Sequence, residues 1–135
     1  MYESSVKLRV RYGETDQMGY VYYGQYASYY EVARVESLRN LGFAYKKLEE
    51  QGIMLPVLEN NTRFLAPATY DELLDIHAKI VTRPGVRLIF EYEIYNEKGE
   101  LINTGNTVLV FVDKTTGKPC RPPQNMLDLL NPYFE

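Results

Sequence analysis

The sequence predicts an α+β fold in which a curved antiparallel sheet of about five strands wraps around a long central helix. Two observations carry this prediction: a helical segment that is apolar over most of its circumference, and strand-like segments that are joined by tight turns. A helix that is apolar on all sides is usually enclosed, and tight turns join antiparallel strands. The 135 residues are expected to form a single domain over residues 1–135.

The first third of the chain predicts a strand, a polar loop and the central helix. Apolar residues alternate with Lys and Arg from Val6 to Tyr12, which is typical of a half-buried strand. The stretch from Gly13 to Gly19 is polar and rich in turn-forming residues. The helix is predicted from Gly24 to Leu41, because apolar residues recur there with helical spacing and Gly42 stands where a C-terminal cap belongs.

Beyond Gly52 the apolar residues alternate with a period of two, which indicates strands. Turn sequences at Pro84-Gly85 and Asn96–Gly99 separate successive strands. Pro56 indicates an edge strand or a bulge, because proline has no N–H to donate to a sheet. The predicted elements are a short helix at Tyr45–Gln51, strands at Ile53–Leu65, Leu74–Ile80, Val86–Ile94 and Leu101–Val112, and a last short helix at Asn125–Leu130.

Charge and composition argue against several classes of partner. The net charge of −3 and the pI near 5.3 come without a basic run, so no nucleic-acid partner is predicted. The longest apolar run, Val108–Val112, is far shorter than a bilayer span, and the N-terminus has no signal-like pattern, so we expect no membrane partner and a cytoplasmic location. One cysteine and one histidine exclude an internal disulfide and a multi-histidine metal site, and no metal or resident cofactor is predicted.

Tyrosine marks the segment in which chemistry is expected. Eight of the 13 tyrosines lie between Tyr12 and Tyr45, and Asp16 lies in the same segment, eight residues before the predicted helix start. Free N–H groups at a helix start can polarise a carbonyl oxygen, while a nearby carboxylate activates water or attacks directly. This pairing suits acyl transfer. The alternative, in which Asp16 only caps a turn, stays open because Thr-Asp-Gln is an ordinary loop sequence.

Several motifs of this segment together resemble a known family. They are YGETD at residues 12–16, GYVYY at 19–23, and Tyr26 with YEVAR at 30–34, followed later by NTRFLAPATYDEL at 61–73. This pattern resembles the hotdog-fold acyl-CoA thioesterases, and most closely the 4-hydroxybenzoyl-CoA thioesterase family. The resemblance covers about residues 5 to 115, and it implies the hotdog fold and the hydrolysis of acyl-CoA thioesters to a free acid and coenzyme A.

The resemblance also implies roles for individual residues. Asp16 matches the catalytic carboxylate, which acts as general base or as nucleophile. Tyr23 and Gly24 match the start of the central helix, whose backbone N–H groups hold the thioester oxygen. Coenzyme A enters only as part of the substrate, and its phosphates suit arginines near the mouth of a cleft. The substrate-binding residues expected on this basis are Tyr20, Val21, Tyr22, Tyr26, Arg63 and Arg87.

One departure from the family pattern leaves alternatives open. Relatives often carry histidine at the positions of Tyr20 or Tyr23, whereas the one histidine of this chain, His77, lies on a later strand. Tyrosine is a poor base at neutral pH, so a mechanism that relies on Asp16 alone is favoured. The alternatives are a non-catalytic acyl-CoA-binding protein on the same fold, a hydratase or dehydratase of the hotdog superfamily, and an unrelated fold in which a sheet also wraps a helix.

Two further expectations concern contacts. Glu31 and Arg34 are expected to pair across one turn of the helix. A homo-oligomer is expected because a single sheet exposes an edge strand, and the resemblance implies a dimer with a continuous sheet, usually doubled to a homotetramer.

Overall fold

The protein, seen in a computed structural model that describes residues 1–135, contains seven strands and three α-helices. The strands are β1 (Tyr2–Arg9), β2 (Ile53–Met54), β3 (Val57–Phe64), β4 (Leu73–Ile80), β5 (Arg87–Tyr95), β6 (Leu101–Val110) and β7 (Val112–Asp113). The helices are α1 (Gln25–Leu41), α2 (Tyr45–Glu50) and α3 (Gln124–Leu130), with short 3-10 turns at Tyr12–Glu14 and Asn131–Tyr133.

Five strands form one sheet in the order β1-β4-β5-β6-β3, and each neighbouring pair is antiparallel. The predicted five-stranded antiparallel sheet is therefore confirmed. β3 lies at one edge, and its register against β6 shifts between Val57 and Glu59, directly after Pro56. Pro56, which indicated an edge strand or a bulge, thus lies directly before a strand at the edge of the sheet and before a shift in its register.

Two strands that the sequence predicted as continuous are each split in the structure. Residues 53–65 divide into β2 and β3 around Pro56, which cannot donate to a ladder. Residues 101–112 divide into β6 and β7 at Phe111, whose backbone bonds to Val86 and Cys120 instead of to a neighbouring strand of the ladder. The short strands β2 and β7 then pair with each other in a separate small sheet.

Helix α1 begins within one residue of the predicted start and ends at the predicted Leu41, but the expectation of a long helix is wrong. Its 17 residues span about 26 Å at 1.5 Å per residue. Gly42 ends it in the left-handed conformation, with φ of 98°, and donates its N–H to the carbonyl of Arg39 at 3.0 Å. None of the helices is both long and apolar enough to cross a membrane.

The expectation that the sheet encloses α1 on all sides is corrected. Ala27, Ser28, Glu31 and Val32 are exposed, because the sheet of a single chain covers only one side of the helix. The residues buried against the sheet and the adjoining segments are Tyr26, Tyr29, Tyr30, Ala33, Ser37, Leu38 and Leu41.

Tyrosines and an arginine, Arg34, join the helix to the sheet. The rings of Tyr30 and Tyr92 stack with centroids 4.1 Å apart, and the Tyr30 hydroxyl donates to the side-chain oxygen of Asn103. The guanidinium of Arg34 donates to the Tyr92 hydroxyl at 3.1 Å and makes no ion pair with Glu31. The expected pair is therefore wrong, because Arg34 turns toward the sheet while Glu31 lies on the exposed side.

Candidate active site

The loop that carries Asp16 folds back on the segment leading into α1 as a short antiparallel pair. The Asp16 N–H donates to the Tyr20 carbonyl at 2.8 Å, and the Tyr22 N–H donates to the Glu14 carbonyl at 2.9 Å. Gly19, with φ of 81°, allows the tight reversal between the two segments. The chain therefore reaches the helix start only a few residues after it has passed the carboxylate.

The two oxygens of the Asp16 carboxylate have different surroundings. Oδ1 accepts the N–H groups of Met18 at 2.9 Å and Tyr20 at 3.2 Å, so Asp16 does cap a turn. Oδ2 takes part in none of the hydrogen bonds of the chain, and the residue is exposed. The turn-capping interpretation thus accounts for one oxygen, and the other is available for chemistry.

The start of α1 leaves two backbone donors without an acceptor. The N–H of Gln25 bonds to the Tyr22 carbonyl at 2.9 Å, and the N–H of Tyr26 bonds to the Tyr23 carbonyl at 3.4 Å. The N–H groups of Tyr23 and Gly24 form no hydrogen bond within the chain. Both lie at the positive end of the helix, where a partial negative charge on a ligand oxygen is favoured.

A mainly apolar groove of about 350 Å³ brings Asp16 and the helix start together. It includes four of the predicted site residues besides Asp16, which is the only carboxylate along it. Burial raises the pKa of Tyr26, which keeps that phenol neutral at ordinary pH. The lining residues are Asp16, Tyr20, Val21, Tyr23, Tyr26, Phe64, Leu65, Ala66 and Pro67.

Three predicted substrate-binding residues do not line this groove. The exposed ring of Tyr22 packs on the Tyr23 ring with centroids 4.7 Å apart, and hydrogen bonding and charge interaction with the Tyr23 hydroxyl raise the pKa of Tyr22. Arg63 alternates with Phe64 along β3, so its side chain leaves the opposite face of the sheet. Arg87 begins β5 at the far end of the sheet. Its partner on β6, Val110, is seven residues from Asn103, the partner of Phe64, which corresponds to about 23 Å along the strand.

His77 lies outside the groove, on β4. Its Nε2 is 3.2 Å from Oδ2 of Asp75, and its ring meets the edge of Tyr95 with centroids 5.2 Å apart. The structure thus gives His77 local partners on the sheet and no contact with Asp16.

The segment from Phe64 to Pro67, which forms the wall opposite Tyr26, was not predicted as part of the site. Phe64 is 52% exposed although it is a large aromatic residue, and its ring lies edge-on to Tyr26 at 5.3 Å. An apolar pair, Phe64 and Leu65, at the end of a predicted edge strand was the available signal, but these residues were interpreted only as part of that strand and of the family motif.

Glu14 was also missed as a candidate, and it is the one buried carboxylate of the chain. Its Oε1 accepts the Tyr29 hydroxyl at 2.9 Å and the Arg11 N–H at 2.8 Å, while Oε2 accepts the Arg11 guanidinium at 3.0 Å. Burial by itself raises the pKa of Glu14, but these hydrogen bonds outweigh it and hold the pKa below its usual range. Burial, together with the hydrogen bond to Glu14, raises the pKa of Tyr29.

A five-stranded antiparallel sheet over one central helix, with a carboxylate loop at the helix start, places this chain in the hotdog class of thioesterase-type proteins. The sequence pattern of the Thioesterase-like superfamily matches residues 10–130, and the chain belongs to this family. The family resemblance stated from the sequence is thereby confirmed.

Individual relatives agree with the family assignment. The chain is 37% identical to YneP of Bacillus subtilis over 119 residues, which cover 88% of this chain and 86% of that protein. It is 32% identical to the acyl-CoA thioester hydrolase YbgC of Escherichia coli over 120 residues, covering 89% and 90% of the two chains. The solved structure of the DHNA-CoA thioesterase from Staphylococcus aureus superposes with a TM-score of 0.89 at 35% identity, covering 100% of this chain and 97% of that one.

Proposed function

We propose that this protein hydrolyses acyl-CoA thioesters to a free acid and coenzyme A. The observation that carries the proposal is the shared groove: the Asp16 carboxylate, with one oxygen free of hydrogen bonds, lies on the same groove as Tyr23, whose N–H and that of Gly24 have no acceptor. The activity is also that of the relatives, since the Escherichia coli protein is an acyl-CoA thioester hydrolase and the Staphylococcus aureus protein a DHNA-CoA thioesterase.

In the proposed reaction the thioester oxygen accepts the N–H groups of Tyr23 and Gly24. These donors are fixed by the backbone and lie at a helix start, so they stabilise the negative charge that grows on the oxygen as the carbonyl carbon is attacked. One such donor is worth about 3–4 kcal/mol of activation energy in comparable sites. No metal or resident cofactor takes part in the reaction as proposed.

Asp16 supplies the attack, either by removing a proton from water or by adding its own oxygen to the carbonyl carbon. By the first route, the water oxygen bonds to carbon, the C–S bond breaks, and the proton leaves with the coenzyme A sulfur. By the second, the C–S bond breaks with formation of an anhydride at Asp16, which water then cleaves. Both routes yield the same acid and thiol.

The acyl group is proposed to lie along the apolar lining of the groove, next to Tyr20, Val21 and Tyr26. Seven of the nine lining residues are hydrophobic, so the groove fits an acyl group better than the charged nucleotide of coenzyme A. Arg63 leaves the opposite face of the sheet and Arg87 lies at the far end of it, so neither binds the substrate beside Asp16 on the same chain. Their role toward the phosphates stays a prediction that requires a second copy of the chain.

We further propose that the protein works as a homo-oligomer, with neither nucleic acid nor membrane as partner. The support is the exposed edge strand β3 together with the uncovered side of α1. A dimer through β3 would cover both. Doubling to a homotetramer and a cytoplasmic location stay predictions.

The proposal is tested by the release of free thiol from a panel of aromatic and straight-chain acyl-CoAs. The wild-type protein is expected to turn over at least one of them, and Asp16→Asn is expected to lower kcat by about 10²–10⁴-fold, the usual effect of removing a general base. Turnover that Asp16→Asn leaves unchanged would remove Asp16 from the mechanism. Binding of acyl-CoA by calorimetry without thiol release would support the non-catalytic alternative instead.

A further inference from the structure

We propose that the buried contact between Glu14 and Tyr29 positions the catalytic loop: it holds Asp16 at the distance from the helix start that the reaction needs. Glu14 and Tyr29 are positioning residues in this proposal, since neither lines the groove nor touches the reacting atoms. The inference rests on the proposed function and adds to it two residues whose effect on catalysis acts through Asp16.

The contact between Glu14 and Tyr29 links the loop rigidly to α1. Glu14 is 7% exposed and Tyr29 is 1% exposed, and the Tyr29 hydroxyl donates to Oε1 at 2.9 Å. Arg11 completes the site from the other side, through its N–H and its largely exposed guanidinium. A buried carboxylate with three donors around it is costly to move, because any shift leaves one of these groups unpaired.

Glu14 holds both halves of the site at once. Its side chain fixes the loop to Tyr29 on α1, and its backbone carbonyl accepts the Tyr22 N–H at 2.9 Å, directly before Tyr23 and Gly24. The spacing between the carboxylate and the two free donors is therefore set within a stretch of a few residues.

No other hydrogen bond joins the loop to the body of the helix. Residues 15–20 bond among themselves and to Tyr12, the next residue, Val21, donates to the Ala68 carbonyl, and none of these hydrogen bonds reaches residues 27–41 of α1. If the Glu14–Tyr29 contact is lost, the loop keeps its own turn but loses its fixed distance to the helix. A displacement of about 1 Å in a catalytic group costs up to about 100-fold in rate.

The test compares Tyr29→Phe with a matched control, Tyr2→Phe. Both changes remove the hydroxyl of a buried tyrosine that bonds to or from α1, since the Tyr2 hydroxyl donates to the Ser37 carbonyl at 2.7 Å, toward the other end of the helix. The urea concentration at the midpoint of unfolding is expected to fall by a similar amount in the two variants. Only Tyr29→Phe is expected to lower kcat, by about 10- to 100-fold, with KM nearly unchanged.

A second pair of variants separates positioning from charge. Glu14→Gln keeps an oxygen that accepts both the Tyr29 hydroxyl and the Arg11 N–H, so it is expected to retain kcat within about fivefold of wild type. Glu14→Ala removes both bonds and is expected to lower kcat at least as much as Tyr29→Phe. Rescue by Gln distinguishes a positioning role from one that needs the negative charge.

The possible results distinguish a failure of the positioning role from a failure of the proposed function. If the wild-type protein releases no thiol from any acyl-CoA, the proposed function fails. If the wild type is active and Asp16→Asn is not, while Tyr29→Phe matches Tyr2→Phe in kcat, the proposed function stands and the positioning role of Glu14 and Tyr29 is overturned. Failure of Glu14→Ala to fold leaves this comparison intact, because Tyr29→Phe and Glu14→Gln carry it.

Discussion

At the scale of single residues, Asp16 combines a structural role with a chemical one, and the two roles use different oxygens. Oδ1 accepts the N–H groups of Met18 and Tyr20, whereas Oδ2 takes part in no hydrogen bond. Because an asparagine also presents a side-chain oxygen to those N–H groups, the turn survives when the carboxylate is replaced by an amide.

This division predicts that Asp16→Asn and Asp16→Ala differ in stability but not in activity. Asp16→Asn is expected to unfold in urea within about 0.5 kcal/mol of wild type, whereas Asp16→Ala loses the two N–H contacts and about 1 kcal/mol. Both variants are expected to lose thiol release to a similar extent. Equal stability of the two variants would contradict the turn-capping role of Oδ1.

Glu14 predicts a change of stability with pH. Its pKa is lower in the folded protein than in the unfolded chain, so the folded state favours the ionised carboxylate. The stabilisation is fully present above the unfolded pKa of about 4.3, and it is lost as the pH falls from there through the lowered folded pKa.

Thermal unfolding followed from pH 7 to pH 3 checks this. Glu14→Gln has no proton to gain, so its unfolding temperature is expected to fall less steeply than that of wild type below about pH 4.5. Lys79 and Glu93 form a second ion pair, at 2.8 Å, that contributes an acid dependence common to both proteins. Parallel curves for the two proteins would mean that Glu14 does not contribute in this way.

The residue-scale site was predictable from the sequence where its parts are close along the chain. Asp16, Tyr20 and Tyr23 lie within one short segment, so a local pattern was enough to associate them. Glu14 and Tyr29 are 15 positions apart, and their contact depends on how the loop folds back on the helix. Phe64 belongs to a different strand and could be assigned to the groove only after the sheet order was known.

At the scale of elements, the sequence predicted the kind and order of the main strands and helices better than their ends. Periodicity identified α1 and four long strands, because each presents one face to the core. The breaks at Pro56 and Phe111 depend on the pairing of β2 with β7, which joins segments about 60 residues apart. The exposed side of α1 was not predicted because apolar residues on that side do not indicate what covers them.

The packing of α1 on the sheet predicts a strict requirement for glycine at Gly105 of β6. A Cβ there would lie 2.6 Å from the backbone oxygen of Asn61 and 2.7 Å from the Tyr30 ring. Gly105→Ala is therefore expected to lower the free energy of unfolding by about 1–3 kcal/mol, the usual cost of overpacking.

The matched control for this prediction is Gly85→Ala. A Cβ on Gly85 meets nothing within 4 Å, and its φ is not in the left-handed region. Chemical denaturation of both variants measures the difference directly. If Gly105→Ala is as stable as Gly85→Ala, the close approach between Tyr30 and β6 does not constrain the fold.

At the scale of the whole molecule, the two edges of the sheet differ in their side chains. The β1 edge alternates charged residues, among them Glu3, Lys7 and Arg9, a pattern that discourages pairing with another strand. The β3 edge has unpaired backbone groups, and exposed apolar side chains lie at both of its ends: Val57 and Leu58 at one end are 49% and 52% exposed, and Phe64 at the other is 52% exposed. This asymmetry favours β3 as the edge that meets a second copy of the chain.

A charge on the β3 edge should therefore separate the copies without unfolding either of them. Leu58→Lys is expected to shift the protein from dimer to monomer, because a dimer would desolvate the new ammonium group without a partner. Val81→Lys is the control, since Val81 is 46% exposed and follows β4, away from the β3 edge. Size-exclusion chromatography with light scattering over a range of concentrations measures the oligomeric state of both variants.

Two outcomes would exclude β3 as the interface. In one, the wild-type protein is monomeric at every concentration; in the other, Leu58→Lys and Val81→Lys form dimers of equal stability. Loss of acyl-CoA turnover in monomeric Leu58→Lys would further indicate that the groove beside Asp16 is completed by the second copy.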